Sequence, residues 1–269
     1  MSNERIIMND IQGLPRILRN KIPVYPIKMR DALDFYEAVT VLNIPKDSIN
    51  DVEIIQMSYL KFLLIISSSK ENKALRDRLI TLLKLIFRNE YVDIGIKYEG
   101  EFFSLSDHPD YVFIKDAEYV VRVMNIELTE FDFSKIKTIV SEQNMIDIED
   151  ENITPELKKA LDDAKKFMEK RGNKPAPLDE RILAYQYEMK LTIDQVLDMT
   201  LYQFNRSLES IVHIKYSDMI QHARFSGMVS FKDESKLPSW TSAIERSKDN
   251  PLIMDADKLK GQMEKTFGN

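Results

Sequence analysis

Glycine is scarce in this chain, and its scarcity constrains the fold more than any other sequence feature. Only 7 of the 269 residues are glycine. Folds built on glycine-rich phosphate loops or on many tight β-turns need glycine wherever the backbone adopts a positive φ. Hydrophobic residues make up 43% and charged residues 30% of the chain, as in an ordinary globular protein. The composition therefore predicts a folded, mainly α-helical protein.

Cysteine content, charge and hydropathy exclude several classes of function. The chain has no cysteine, which excludes disulfides, thiolate metal ligands and cysteine nucleophiles. Its net charge of −6 argues against nucleic-acid binding, because polyanions bind to extended basic surfaces. The first residues lack the basic-then-apolar order of a signal peptide, and the longest apolar runs are shorter than the roughly 20 residues of a membrane span. We therefore expect a cytoplasmic protein without nucleic-acid or membrane partners.

The N-terminal half shows helical periodicity after an irregular start. Residues 1–26 contain one glycine and three prolines and little periodicity, and they predict an irregular N-terminal arm. Apolar residues then recur every three or four positions, which predicts helices at about residues 33–43, 52–66 and 74–87. The second of these is apolar on most of its circumference and should lie in the core. We assign these helices to a helical domain over residues 27–172.

A small β element interrupts this helical domain around residues 93–115. Asp93–Tyr98 and Glu101–Leu105 alternate apolar and polar residues on either side of a two-residue loop with Gly100, which is typical of a β-hairpin. Tyr111–Ile114 predicts a third strand, whereas residues 116–128 fit a strand and a helix equally. The predicted fold class is therefore mainly α, with a small antiparallel hairpin or three-stranded element.

Helix signals become clear towards the C-terminal half. Thr129 is followed by acidic residues and predicts a helix start, and Thr154-Pro155 predicts another helix that ends at Gly172. Residues 173–177 carry two prolines and predict a linker. Residues 178–240 then predict a C-terminal helical domain that begins with a helix at Leu178–Met189. Residues 241–269 predict a polar, flexible tail.

Two capping boxes set the organisation of this C-terminal domain. Thr192 with Gln195, and Thr200 with Gln203, match a pattern in which the two side chains satisfy each other's free backbone N–H groups. They predict a short helix at residues 193–198 and a longer one at residues 201–222. The predicted packing side of the longer helix carries Phe204, Leu208, Ile211, Val212, Lys215, Tyr216 and Met219.

Candidate catalytic and metal-binding residues do not form a recognisable motif. Asp218 and His222 share a helix face, as a pair of metal ligands would, but the sequence offers no obvious third ligand. His213 lies on nearly the same face, and His108 lies in a predicted turn. The acidic run at residues 147–151 lacks the central glycine of a calcium loop. Nucleophile-elbow, phosphate-loop and dinucleotide-binding motifs are missing as well. We therefore expect no enzyme, no metal and no cofactor.

The C-terminal segment resembles a known family. The sequence Met199-Thr-Leu-Tyr-Gln-Phe204 leads into the long helix, followed by Ser226-Gly-Met-Val229 and Pro238-Ser-Trp240. This order, over residues 178–240, resembles the C-terminal part of tail assembly chaperones of tailed phages and of prophages of Gram-positive bacteria. Residues 131–144 have a similar character. The resemblance implies a small, acidic, helical protein of the host cytoplasm that binds the tape measure protein, the tail tube subunits or both.

The resemblance also suggests where a partner would bind. Such a partner would contact the long helix and the loop that follows it, through the aromatic and methionine residues that suit adaptable recognition. Core packing explains the same residues equally well. A structural virion protein of the baseplate or connector and a phage-encoded regulatory or anti-defence binder remain alternatives, and oligomerisation stays open. The candidate partner-binding residues are Tyr202, Phe204, Leu208, Tyr216, Phe225, Met228, Phe231 and Trp240.

Overall fold

The computed structural model is mainly helical and carries two small antiparallel sheets of two and four strands. The predicted fold class is therefore confirmed. The residues that it describes are 3–18, 22–46, 56–68, 72–107, 115–148, 159–160, 163, 176–226 and 239–240. The predicted third strand at residues 111–114 and the tail at residues 241–269 lie outside them, as do nearly all of the helix predicted from residue 154 and most of the predicted linker.

The chain divides into two compact units. Unit 1 contains residues 1–151 and 182–206, and unit 2 contains residues 152–181 and 207–269. The predicted domains at residues 27–172 and 178–240 are each continuous in sequence. Each unit of the structure instead combines two separate stretches of the chain. None of the described helices is long and apolar enough to cross a membrane.

The N-terminal 26 residues are more ordered than the sequence suggested. Helix α1 spans Asn3–Ile11, and strand β1 (Arg16–Ile17) pairs antiparallel with strand β2 (Pro23–Val24). The expected irregular arm is thus corrected to a helix and a small hairpin. The reason is long-range: the Gln203 side chain donates a hydrogen bond of 2.9 Å to the carbonyl of Ile11, and local periodicity does not reveal such a contact.

Three helices form the centre of unit 1. A 3-10 turn at Met29–Asp31 leads into α2 (Ala32–Ala38), and a second 3-10 turn covers Val39–Asn43. Helices α3 (Tyr59–Ser68) and α4 (Lys73–Phe87) follow and pack against each other, while α2 packs on α4. Their apolar side chains are among the most buried of the chain, as the periodicity predicted. They include Phe35, Leu60, Phe62, Leu63, Leu64, Leu79, Leu82, Leu83 and Ile86.

The four-stranded sheet lies beside these helices in unit 1. Strands β3 (Val92–Tyr98) and β4 (Glu101–Ser104) form the predicted hairpin, and β5 (Glu118–Val123) pairs with the other side of β3. Strand β6 (Ile126–Leu128) forms a second hairpin with β5. The strand order is β4-β3-β5-β6, all antiparallel. Residues 116–128, which fitted both structures by sequence, therefore contribute two strands.

Charged side chains bridge β3, β5 and β6 on one face of the sheet. Glu127 accepts hydrogen bonds of 2.7 Å from Lys97 and 2.9 Å from Arg122, and these bonds lower the pKa of Glu127. The guanidinium of Arg122 also lies 3.6 Å from the ring centroid of Phe102 on β4. These cross-strand contacts tie the two hairpins together.

Gly95 on β3 permits the close approach of β4. A Cβ atom at Gly95 would lie 2.3 Å from the carbonyl oxygen of Phe103 and 2.6 Å from the Phe102 ring. We expect Gly95→Ala to destabilise the protein by about 1–3 kcal/mol, because backbone atoms of β4 would have to move. Urea-induced unfolding followed by circular dichroism measures this change. Gly100→Asn in the hairpin loop is the control: nothing lies within 4 Å of its added Cβ, so only the strain of a φ of 86° remains, and asparagine tolerates a positive φ better than most residues. It should therefore cost less. An equal loss in both variants would contradict the steric explanation.

Helix α5 (Glu130–Asn144) closes the N-terminal part of unit 1. Thr129 caps it as predicted, since the Asp132 carboxylate accepts hydrogen bonds from the Thr129 backbone N–H (3.1 Å) and hydroxyl (3.0 Å). At the other end, the buried Asn144 side chain accepts a 2.9 Å hydrogen bond from the backbone N–H of Ile27. Helix α5 thereby holds the segment that precedes α2.

The C-terminal helices agree closely with the sequence. They are α6 (Leu178–Met189), α7 (Ile193–Asp198) and α8 (Leu201–Phe225). Both predicted capping boxes are present: Gln195 accepts from the Thr192 N–H, and Gln203 accepts from the Thr200 N–H, each at 2.8 Å. The threonine hydroxyls accept the reciprocal N–H bonds. The helix starts that these boxes predicted are therefore confirmed, and α8 ends at Phe225 rather than at the predicted residue 222.

Candidate functional site

The region between α6 and the first turns of α8 is built into unit 1. The backbone N–H of Met29 donates a hydrogen bond to the carbonyl of Met199, and the N–H of Leu201 donates one to the carbonyl of Ile27, each at 2.8 Å. The rings of Tyr185 and Phe204 meet edge-on with centroids 5.0 Å apart, and both side chains are buried. Tyr185 and Phe204 therefore belong to the core of unit 1, whereas Leu183 and Tyr187 of α6 are 58% and 86% exposed.

The part of α8 that belongs to unit 2 presents an apolar surface instead. Val212, Tyr216 and Met219 are 62%, 51% and 58% exposed, and the half-buried Leu208 precedes them on the same face. Their spacing of four, four and three residues keeps all four within an arc of about 80° on a helix of 3.6 residues per turn. We call this set, Leu208, Val212, Tyr216 and Met219, the α8 stripe.

The burial of α8 in unit 2 is the reverse of that expected for a helix packed by its apolar face. Ser217, which lies roughly opposite the α8 stripe, is 1% exposed. A small residue is thus buried while larger apolar side chains face solvent. Contiguous exposed apolar surface of this kind is typical of a site for protein interaction.

Charged side chains border the α8 stripe differently on its two sides. Lys215 and His222 are exposed along one edge, and Glu209 lies along the other. A helix that packed lengthwise on the stripe would bring its own flanking residues next to these groups.

The eight predicted partner-binding residues have different environments in the structure. Tyr202 and Phe204 are buried in unit 1 at 4% and 0% exposure, so their assignment to a contact surface is corrected to core packing. Leu208 and Tyr216 lie on the α8 stripe. Phe225 and Trp240 are exposed, although Phe225 points away from the stripe by its helical position. Met228 and Phe231 lie outside the described residues.

Helical periodicity correctly grouped Val212 and Met219 on one face of α8. That face was predicted to pack against the protein itself, whereas in the structure it is exposed. Their spacing with Leu208 and Tyr216 was visible in the sequence, and their exposure was not. An apolar face of a helix looks the same in sequence whether the protein itself or a partner covers it. The α8 stripe is therefore a finding of the tertiary structure.

The histidines do not assemble a metal site with the acidic residues of the described chain. His213 Nε2 lies 3.0 Å from the carbonyl oxygen of Ser239. Among the described residues, no group of three histidine, aspartate or glutamate side chains converges as metal ligands would. His108 lies outside those residues.

A family model matches part of the chain. Residues 169–245 match the family model described as the YomV second domain. Comparisons with curated proteins and with solved structures gave no significant match. The matched segment includes helices α6 to α8 and the whole α8 stripe. Residues 169–245 are thus similar to a phage-associated domain, the YomV second domain.

Proposed function

We propose that the protein is a non-catalytic, phage-encoded assembly factor that uses the α8 stripe to bind an amphipathic helix of another phage protein. The observation that carries this proposal is the exposure of Val212, Tyr216 and Met219 within the segment similar to a phage-associated domain. An exposed apolar helix face in water is covered most simply by a second helix with a matching face. The resemblance of residues 178–240 to tail assembly chaperones supports the tape measure protein as this partner.

The expected strength of binding suits a chaperone. Full burial of an exposed apolar side chain contributes about 1.5–3 kcal/mol, so three partly exposed ones contribute roughly 3–6 kcal/mol. Association costs on the order of 4–15 kcal/mol in lost motional freedom. The α8 stripe by itself therefore does not hold a stable complex, and the expected complex also buries partner surface outside the stripe. A contribution of this size keeps the binding reversible, as a factor that must release its partner when the tail tube assembles requires.

Co-expression with the tape measure protein of the same phage tests the proposal. We expect the wild-type chain to keep that protein soluble and to co-purify with it. Replacing Val212 and Met219 by lysine should abolish both effects, because two charges would then lie inside the apolar contact. Ile214→Lys is the matched control, since Ile214 is an exposed apolar residue of α8 that lies off the stripe. It should leave the complex unchanged.

Two results of this experiment would contradict the proposal. One is an unchanged solubility of the tape measure protein without a co-purifying complex. The other is an equal effect of Ile214→Lys and of the Val212 and Met219 replacements. Mass spectrometry of purified virions separates an assembly factor, which is absent from particles, from a baseplate or connector protein, which persists in them.

A further inference from the structure

A cleft in unit 1, remote in sequence from the α8 stripe, combines apolar walls with basic side chains. Its volume is about 430 Å³, which falls in the range of small-ligand sites. Helix α4 lines it with Thr81, Lys84, Leu85 and Arg88. The opposite wall comes from residues 26–28 and Asp31, beside the first 3-10 turn.

The α4 residues of the cleft share one helix face. Thr81, Lys84 and Arg88 are spaced by three and four positions, so the hydroxyl, ammonium and guanidinium groups follow one another along the helix. The carbonyls of Lys84 and Leu85 already accept backbone N–H groups of Arg88 and Asn89. This capping limits the negative partial charge that the C-terminal end of α4 adds to the cleft.

Arg88 is held in a defined position. It caps α4 in the left-handed conformation, at a φ of 48°. Its guanidinium lies 4.5 Å from the ring centroid of Tyr25 and donates a 3.2 Å hydrogen bond to the carbonyl of Pro26. A guanidinium oriented in this way loses little conformational entropy when it binds an oxyanion.

The two lysines of the cleft have partners that a ligand could replace. Lys84 pairs at 3.0 Å with Glu90, whose side chain is 84% exposed. An ion pair this exposed contributes only about 0–1 kcal/mol, so its loss is inexpensive. Lys28 pairs at 3.0 Å with Asp198, which also accepts a 2.7 Å hydrogen bond from Arg30.

The local charge balance is positive in an acidic protein. The cations that line the cleft are Lys28, Lys84 and Arg88, and the carboxylates are Asp31 and Glu90. Three positive charges against two negative ones leave an excess of one, whereas the whole chain carries −6. A local excess of this sign favours an anion.

From this arrangement we infer that the cleft binds an oxyanion, a phosphate or a carboxylate. Lys84 and Arg88 hold its charge, Thr81 donates its hydroxyl, and the apolar part of the ligand packs on Leu85 and the residues opposite. Arginine and lysine together bind phosphate and carboxylate groups through charge-assisted hydrogen bonds. The same chemistry is available from a free phosphate compound or from an acidic side chain of a protein.

Isothermal titration calorimetry at constant ionic strength tests the inference with two probes. Inorganic phosphate represents the small-molecule source, and an acetylated tetraglutamate peptide represents the acidic protein source. We expect one of them to bind at a single site. Lys84→Gln and Arg88→Gln should each weaken that binding by about tenfold, the effect of losing one charge-assisted hydrogen bond. Lys73→Gln, on the same helix but outside the cleft, should leave it unchanged.

The outcomes are distinct. Binding of phosphate alone identifies a small-molecule site, and binding of the peptide alone identifies a site for an acidic protein segment. Absence of binding by both probes would overturn the inference, and so would equal weakening by Lys84→Gln and Lys73→Gln. The Lys84 variant carries the test if Arg88→Gln unfolds, because Gln keeps most of the aliphatic part of the half-exposed Lys84 side chain and removes only an exposed ion pair with Glu90.

Discussion

Replacing Phe204 by alanine is expected to lower the free energy of unfolding by about 3–5 kcal/mol, the cost of removing a fully buried aromatic side chain. Phe204 is 0% exposed, and its ring meets that of Tyr185 edge-on. The cavity would open where the first turn of α8 joins the remainder of unit 1. Urea-induced unfolding followed by circular dichroism measures the loss.

Tyr216→Ala on the same helix provides the matched comparison. Tyr216 is 51% exposed, so its removal should change the free energy of unfolding by no more than about 0.5 kcal/mol. The two variants therefore distinguish core residues from α8 stripe residues among the aromatic side chains of one helix. A large loss of stability in Tyr216→Ala, or a negligible one in Phe204→Ala, would show that α8 packs differently.

A second large loss of stability is expected on replacement of Arg16, which lies in the hairpin that follows α1. Its guanidinium donates to the Asp10 carboxylate at 2.5 and 3.2 Å and also pairs with Glu142 of α5. The Arg16 and Asp10 side chains are only 12% and 3% exposed. Burial by itself would lower the pKa of Arg16, but the hydrogen bonds to Asp10 and Glu142 outweigh it and raise this pKa.

Arg16→Met should destabilise the protein by about 3–5 kcal/mol, because it leaves the buried Asp10 carboxylate without its counter-charge. A chevron analysis or equilibrium unfolding in urea measures the change. The double variant Asp10→Leu with Arg16→Met should regain part of the loss, since it removes both charges together. Glu142→Gln is the control: the Glu142 side chain is 54% exposed, and its pair should contribute at most about 1 kcal/mol. Equal losses in Arg16→Met and Glu142→Gln would contradict this assignment.

The sequence predicted those features that depend on neighbouring residues. The capping boxes at Thr192 and Thr200 set the starts of α7 and α8, and the loop at Gly100 set the β3-β4 hairpin. These structures arise from hydrogen bonds between side chains and backbone groups a few residues apart, so a short stretch of sequence contains the whole interaction.

Features that depend on distant residues were predicted less well. Strands β5 and β6 fitted a helix equally by sequence, and pairing with β3 decides between the two structures. Helix α1 and the β1-β2 hairpin depend on contacts such as the bond from Gln203 to Ile11, across 192 residues. The cleft beside α4 likewise brings together residues near positions 28 and 84, which no local pattern connects.

Glycine scarcity and apolar spacing determined that this chain is mainly helical, and they placed one apolar face along α8. Tertiary structure alone decided how that face is used. Phe204 near the start of α8 is covered by Tyr185 and is part of the core, whereas Val212, Tyr216 and Met219 further along the helix are exposed. The physical reason is that helical periodicity defines which side chains share a face, while the burial of that face depends on what packs against it.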